Sequence, residues 1–549
     1  MRCVLRGVPA TVWALTVLQL LLGVCYALAI PTFRGPDEAN HVDLVLFIED
    51  QLAGEEPPSW PEPTQRRVAE RVTAAAAFLD AHGAVSRRDA DDAPARRVRP
   101  AFDDLDASHG SGAPGASPEA PLNQLVQHPP AHYVLSAAWL SAAPGSQDWP
   151  VDRQVAHLRL LSALLLAPLP LLLHATARAL TRSRPVAVAA AAAALLVPQL
   201  TLTGAVVNND SLLVAASSLA TVPLVHLARG DLSLRTSAWA GGALGVAVFA
   251  KGLALVLVCW PAVAYLLGWR RRGGSLPWGP AALGVATALL AGGWWWVRKV
   301  LRLGTVHVRG TVYASDPAFT PEPVTWLGEE FVPLMIERWW VSLVGVGTPL
   351  PFPTVLLVAL PVALGVGLAV AWPARRQPGN RGDVLLLLVP TAAMLGLILW
   401  SSYTTYARTG RAVGIQGRYL FPGVVGLLAV MAHGYGVVLR RCSRWLAPAI
   451  FAVAGLLQVR VAYQVLLGYW GAEPGATVLG RAVSAVRSLL AWSPWPPALT
   501  GTALSATVAL AVATGIALIV TAAAGSGEAA ARAQALPAST SVRKSTTRG

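Results

Sequence analysis

The stretch Pro36-Asp-Glu-Ala-Asn-His41 sets two carboxylates and an imidazole directly after the first long apolar run of the chain. A proline at the first helical position pre-sets φ, and acidic residues suit a first turn, so the pattern predicts a short helix beginning near Pro36. In that helix Asp37 and His41, four residues apart, share a face, while Glu38 points about 100° away. A carboxylate beside an imidazole at a membrane surface can take the proton of an acceptor hydroxyl. With a further ligand, Asp37 and His41 would also suit a divalent metal, although no third ligand is evident. The plain alternative is a well-capped interfacial helix with solvated charges.

Further ionisable residues recur along the chain. His128 and His132 lie in Gln127-His-Pro-Pro-Ala-His-Tyr133, Asp210 in Val207-Asn-Asn-Asp-Ser211, and Lys251, Arg298, Arg408, Arg411 and Arg418 follow. The topology set out below puts all of them on the same side of the membrane as Asp37. Ionisable groups at a membrane boundary are costly and often functional. A carboxylate facing several cations suits group transfer from a phosphate, in which the carboxylate deprotonates an acceptor and the cations hold the phosphate leaving group. Arginine suits such bidentate recognition. A substrate linked to a lipid phosphate would enter sideways from the bilayer. Each residue also has a structural reading. Arg298 can snorkel to headgroups, Asn208–Asp210 can be a helix N-cap, Lys251-Gly252 can be a turn, and His128 can be a loop residue.

The elements that must position these groups are membrane helices. The 549 residues are 54% hydrophobic and 13% charged, with a mean hydropathy of +0.52. Apolar runs of about 18 residues or more recur, each long enough to span a hydrocarbon core. The class is all-α, a polytopic transmembrane helical bundle; a β-barrel would show short alternating segments. The net charge of +14 does not point to nucleic acid, because the arginines concentrate in short turns, as cytoplasmic loops require. Cys3, Cys25, Cys259 and Cys442 all lie outside the long loops and indicate no disulfide framework.

Charge bookkeeping sets the order of the spans. Arg2 and Arg6 place the N-terminus in the cytoplasm before a first span within residues 1–30. Ala27-Leu-Ala29 resembles a signal-peptidase site, but the apolar run favours a retained helix. Residues 31–154 form a large extracytoplasmic loop, helical over 64–82. A low-complexity insert at about 83–120 reads as disordered. Residues 131–143 are too short to cross and read as an interfacial or re-entrant helix. Transmembrane helices fill 155–300, with Lys251 at an outer turn between two short helices. A second outer loop at 301–352 carries Trp326, Trp339 and Trp340, expected to lie on the membrane. Further helices fill 353–523, and 524–549 reads as a disordered cytoplasmic tail. The total is about twelve crossings with both termini inside.

Pro36–His41, His128–Tyr133, Asn208–Ser211, Lys251-Gly252 and Gln416-Gly-Arg-Tyr-Leu420 occur in an order that resembles a bacterial membrane family, domain-of-unknown-function family 2142. That family is similar to the GT-C class of integral-membrane glycosyltransferases. The resemblance spans about residues 8–470. It implies a GT-C-like fold in the bacterial plasma membrane and a polyprenyl-phosphate-linked sugar as partner, alongside membrane lipids. It also implies transfer on the outer face to an envelope acceptor, usually with inversion. By the same resemblance Asp37 is the candidate catalytic base and Glu38 its nearest substitute, with Lys251, Arg298 and Arg418 as candidate phosphate ligands. His41, His128 and Asp210 complete the expected substrate-binding set. The resemblance implies no certain cofactor and leaves room for a divalent metal. The rival readings are a transporter or flippase of lipid-linked saccharides, which would want charges at mid-membrane depth, and a non-catalytic envelope-assembly protein.

Overall fold

The chain folds into an all-α bundle. The structure, a computed structural model, describes residues 7–54, 60, 67–81, 99–105, 122–306, 314–342, 351–371, 380–471 and 477–534. Among the described residues ten helices are long and apolar enough to cross a membrane, from Ala10–Ala29 to Pro497–Ala524. This is fewer than the twelve or so crossings counted from the sequence. The difference lies in two segments. Arg184–Leu196 is a shorter apolar helix, and the chain bends after it at Val197 before Pro198 opens a new turn. Leu234–Ala250 has 17 residues, at the lower limit for a span.

The bend at Pro198 explains the polar groups buried at mid-depth. Proline cannot supply the next helical N–H, and a freed carbonyl inside a membrane must find another donor. Gln458 Nε2 donates to Leu195 O at 2.9 Å, and Tyr26 Oη donates to Gln458 Oε1 at 3.1 Å. Around this repair the helices pack closely, because Ala189–Ala194 present only methyl groups and are fully buried.

The basic turns meet at one end of the bundle. There Asp383, which is buried, receives Arg229 Nε at 3.0 Å and Arg271 Nη1 at 2.5 Å. The first span, Ala10–Ala29, leads away from that end for about 30 Å at 1.5 Å per residue. It finishes beside the Glu38–Ala53 helix, which begins the first large loop.

Several loop expectations change. The helix read over 64–82 is Glu70–Ala81, and that over 131–143 is Ala131–Ser141. Of the insert at 83–120, residues 83–98 and 106–120 lie outside the described residues. Between them Phe102 and Leu105 are buried, and Arg99 pairs with Asp152 and stacks over the Trp492 ring at 4.8 Å. Trp326, Trp339 and Trp340 are buried in protein and do not lie on the membrane. Trp339 packs edge-on against Trp340 and Phe421. An isolated sequence window does not reveal that these indoles have aromatic neighbours from elsewhere. The last helix runs to Gln534, well into the stretch read as a disordered tail.

Candidate active-site cleft

Pro31–Asp37 links the end of the first span to the helix Glu38–Ala53. Asp37 is the N-cap of that helix and stands in the left-handed region, at φ 56° and ψ 17°. The helix therefore begins at Glu38, one or two residues later than the Pro36 pattern predicts. A non-glycine residue held there is strained by about 1–3 kcal/mol and persists only where its surroundings over-determine it. The Asp37 side chain is exposed at the mouth of a cleft of about 610 Å³, counted to its open side. His41, His128, Asp210, Lys251 and Arg418 line the same cleft.

The wall that carries Asp210, Lys251 and Arg418 is built from three breaks in helical structure. Asn208 Oδ1 accepts from Ser211 N at 2.9 Å, which starts the helix Asp210–Ala228. The capping group is thus Asn208, and Asp210 is left to face Lys251. Lys251 lies on an extended residue, φ −156° and ψ 139°, between the helix Leu234–Ala250 and the 3₁₀ turn Gly252–Cys259. Its Nζ donates to Asp210 Oδ1 at 2.7 Å. Arg418 lies on the 3₁₀ turn Gly417–Gly423, with its Nε 3.5 Å from Asp210 Oδ2. That separation is too long for a good hydrogen bond, and Nε has no other partner among the described residues. Gly417 permits the placement: a Cβ there would collide with the backbone of Met335 and Trp339. Both cations stand over the Tyr419 ring, Lys251 at 4.8 Å and Arg418 at 5.6 Å. One buried carboxylate thus faces two cations, leaving an anion-binding surplus on this wall.

The imidazoles differ from cations. Burial, with help from His132, Lys251, His128 and Arg418, holds His41 well below its ordinary value, so the ring is neutral at pH 7. Its Nδ1 lies 3.1 Å from Tyr133 Oη. His132 is pushed down to about 4, chiefly by burial; it packs edge-on to His41 and does not line the cleft. Among the described residues no three His, Cys, Asp or Glu side chains group as a metal site. Asp210 is held by Lys251 Nζ at 2.7 Å.

Two expected site residues lie elsewhere. Glu38 is buried and does not line the cleft. Its carboxylate receives Arg159 Nε at 2.8 Å and Nη2 at 2.6 Å, and also Gly35 N and Val207 N. A carboxylate so closed off is no substitute for Asp37. Arg298 is exposed and stacks on Trp295 at 5.7 Å. Its neighbour Lys299 is the one turned inward, donating to Gln127 O at 3.0 Å. Arg408 and Arg411 are exposed and outside the cleft lining.

Sequence pattern did not single out Arg34, Gln199, Ser342 and Tyr419, which line the cleft, or Arg159. Arg159 had a signal: it is a charge inside an apolar span, which is itself grounds for a functional hypothesis.

A family model described as "Predicted membrane protein (DUF2142)" matches residues 20–427, about three quarters of the chain. No curated protein matches. Among solved structures the chain is similar to ArnT from Cupriavidus metallidurans bound to undecaprenyl phosphate, at 16% identity and TM-score 0.46, covering 96% of this chain and 81% of that one. It is also similar to the oligosaccharyltransferase AglB from Archaeoglobus fulgidus in complex with an inhibitory peptide and a dolichol-phosphate. That match has 12% identity and TM-score 0.42, covering 87% of this chain and 56% of that one.

Proposed function

This chain belongs to the DUF2142 family of membrane proteins, and we propose that it is a GT-C-like glycosyltransferase of the bacterial plasma membrane. In this reading it moves a sugar from a polyprenyl-phosphate-linked donor to an envelope acceptor at the outer face. The observation that supports the reading is the shared cleft, lined by an exposed aspartate and by the Lys251 and Arg418 cations held beside Asp210.

The chemistry follows from the charges. Lys251 and Arg418 hold the donor phosphate, with Asp210 fixing the ammonium and lying beside the guanidinium. Asp37 takes the proton of the acceptor hydroxyl as its oxygen attacks the anomeric carbon. The bond from that carbon to the phosphate oxygen breaks, and the polyprenyl phosphate leaves with the electron pair. Charge growing on the leaving oxygen meets the two cations, which are worth more in a half-buried cleft than in water. A single displacement of this kind inverts the anomeric centre. Neutral His41 serves as a hydrogen-bonding wall under Asp37 and adds no charge toward phosphate.

The test is Asp37→Asn, expressed at the parent level in a strain lacking the native gene. The expected result is loss of one envelope glycan or modification, with undecaprenyl phosphate binding retained. Unchanged envelope glycans in that strain would remove the transferase reading.

A further inference from the structure

Asp37 stands in the left-handed region, and among the described residues its side chain makes no capping hydrogen bond. We infer that Arg159 is the positioning residue that holds it, and that Arg159 sets the span between Asp37 and the Asp210–Lys251–Arg418 wall. This inference rests on the transferase reading above.

Arg159 comes from the middle of the apolar helix Val151–Leu166 and is buried, 2% exposed. Each of its five N–H donors has a partner. Nη1 donates to Ala27 O at 2.8 Å and Ile30 O at 2.5 Å, and Nη2 to Pro31 O at 2.9 Å. Nε and Nη2 also hold the Glu38 carboxylate in a fork. One rigid guanidinium therefore fastens the chain on both sides of Asp37, at residues 27–31 and at residue 38.

The fastening continues across the cleft. Glu38 Oε2 accepts from Gly35 N at 3.2 Å, inside the Asp37 loop. Its Oε1 accepts from Val207 N at 2.9 Å. Val207 precedes Asn208, whose side chain starts the helix that carries Asp210. The two loops also touch directly, since a Cβ built on Gly35 would lie 2.7 Å from Val206 Cβ. The base and the phosphate-holding wall thus hang from one buried ion pair, with no slack between them. Lysine could not replace Arg159, because an ammonium has three donors and no fork.

The experiment uses the full chain in lipid nanodiscs and in cells, with Arg159→Lys and Glu38→Gln. Hydrogen exchange is followed for peptides covering residues 31–41 and 203–211. Affinity is measured for undecaprenyl phosphate, and envelope glycan is scored in the complemented strain. In both variants the two segments are expected to exchange at least about tenfold faster, and together. Affinity for undecaprenyl phosphate should stay within about threefold, since Lys251 and Arg418 remain. Glycan transfer should fall by about tenfold or more, as a misplaced base requires. Full transfer by a folded variant would overturn the inference. So would loosening of one segment without the other, or a loss of lipid-phosphate affinity as large as the loss of transfer. Should Arg159→Lys fail to fold, Glu38→Gln carries the test, because it removes the ion pair while keeping the size of the side chain. If Asp37→Asn leaves glycans unchanged, the transferase reading falls, and the exchange data alone decide whether Arg159 couples the loops.

Discussion

Asp37 and Glu38 are neighbours in the chain with opposite surroundings. Glu38 is sealed beneath the loop, gripped by a guanidinium and two backbone amides. Asp37 stands exposed at the cleft mouth on a strained backbone. The contrast separates a charge whose role is to be satisfied from one left available. A buried ion pair adds little net stability but is costly to break, because the surviving charge is stranded. A strained, open carboxylate contributes nothing to stability and is retained where its position matters. The cations repeat the division: Arg159 has all five donors engaged, whereas Arg418 Nε has no hydrogen bond among the described residues.

The hardest test of this division is Arg159→Met, which strands Glu38. Destabilisation of about 3–5 kcal/mol is expected, read as loss of folded protein in a melting or proteolysis assay. A stable, monodisperse Arg159→Met protein would break the comparison at its sealed side.

Acid should act on the buried imidazoles. His132 titrates near 4 in the fold against about 6.5 in an unfolded chain. Between those values the unfolded chain binds the extra proton and the folded one does not. Stability is therefore full above about pH 6.5 and falls as pH drops toward 4, by about 3 kcal/mol for His132. His41 is shifted in the same direction and should add to the fall. Melting in detergent across pH 4–8 measures it, and His132→Phe should flatten the slope.

On the open side, Lys251→Ala and Arg418→Ala should each weaken undecaprenyl phosphate binding by about 1.5–3 kcal/mol, or roughly tenfold to a hundredfold. Lys251→Ala also leaves Asp210 short of its closest partner and should lower stability, whereas Arg418→Ala should lower it less. Equal stability losses with unchanged binding would make both residues structural.

The smallest effect is the sharpest. Asp37→Gly relieves the left-handed backbone and should raise stability by about 1 kcal/mol or leave it unchanged, while transfer is lost. Lower stability in Asp37→Gly would show that the aspartate is fastened in place like its neighbour.

Part of the cleft's lining is legible in the sequence. Asp37, His41, His128, Asp210, Lys251 and Arg418 each stand out as polar residues at the edge of apolar runs, and the charge count puts them on one face. Glu38 and Arg298 are misplaced by it for different reasons. The sequence shows a carboxylate next to Asp37 but not the guanidinium 121 positions away that closes it. Arg298 and Lys299 are adjacent, and only the rotation of their helix decides which turns inward. The tryptophans of the second loop look membrane-facing because indole suits both an interface and a core.

By itself the sequence determined that this chain is a bundle of membrane helices and which of its residues are polar at helix ends. Length and hydropathy fix whether a segment can enter a bilayer, and that is a local property. Which carboxylate is buried and which is open was decided only by the tertiary structure. Charge satisfaction depends on partners brought from distant helices, and no window of sequence contains both ends of an ion pair such as Glu38 and Arg159.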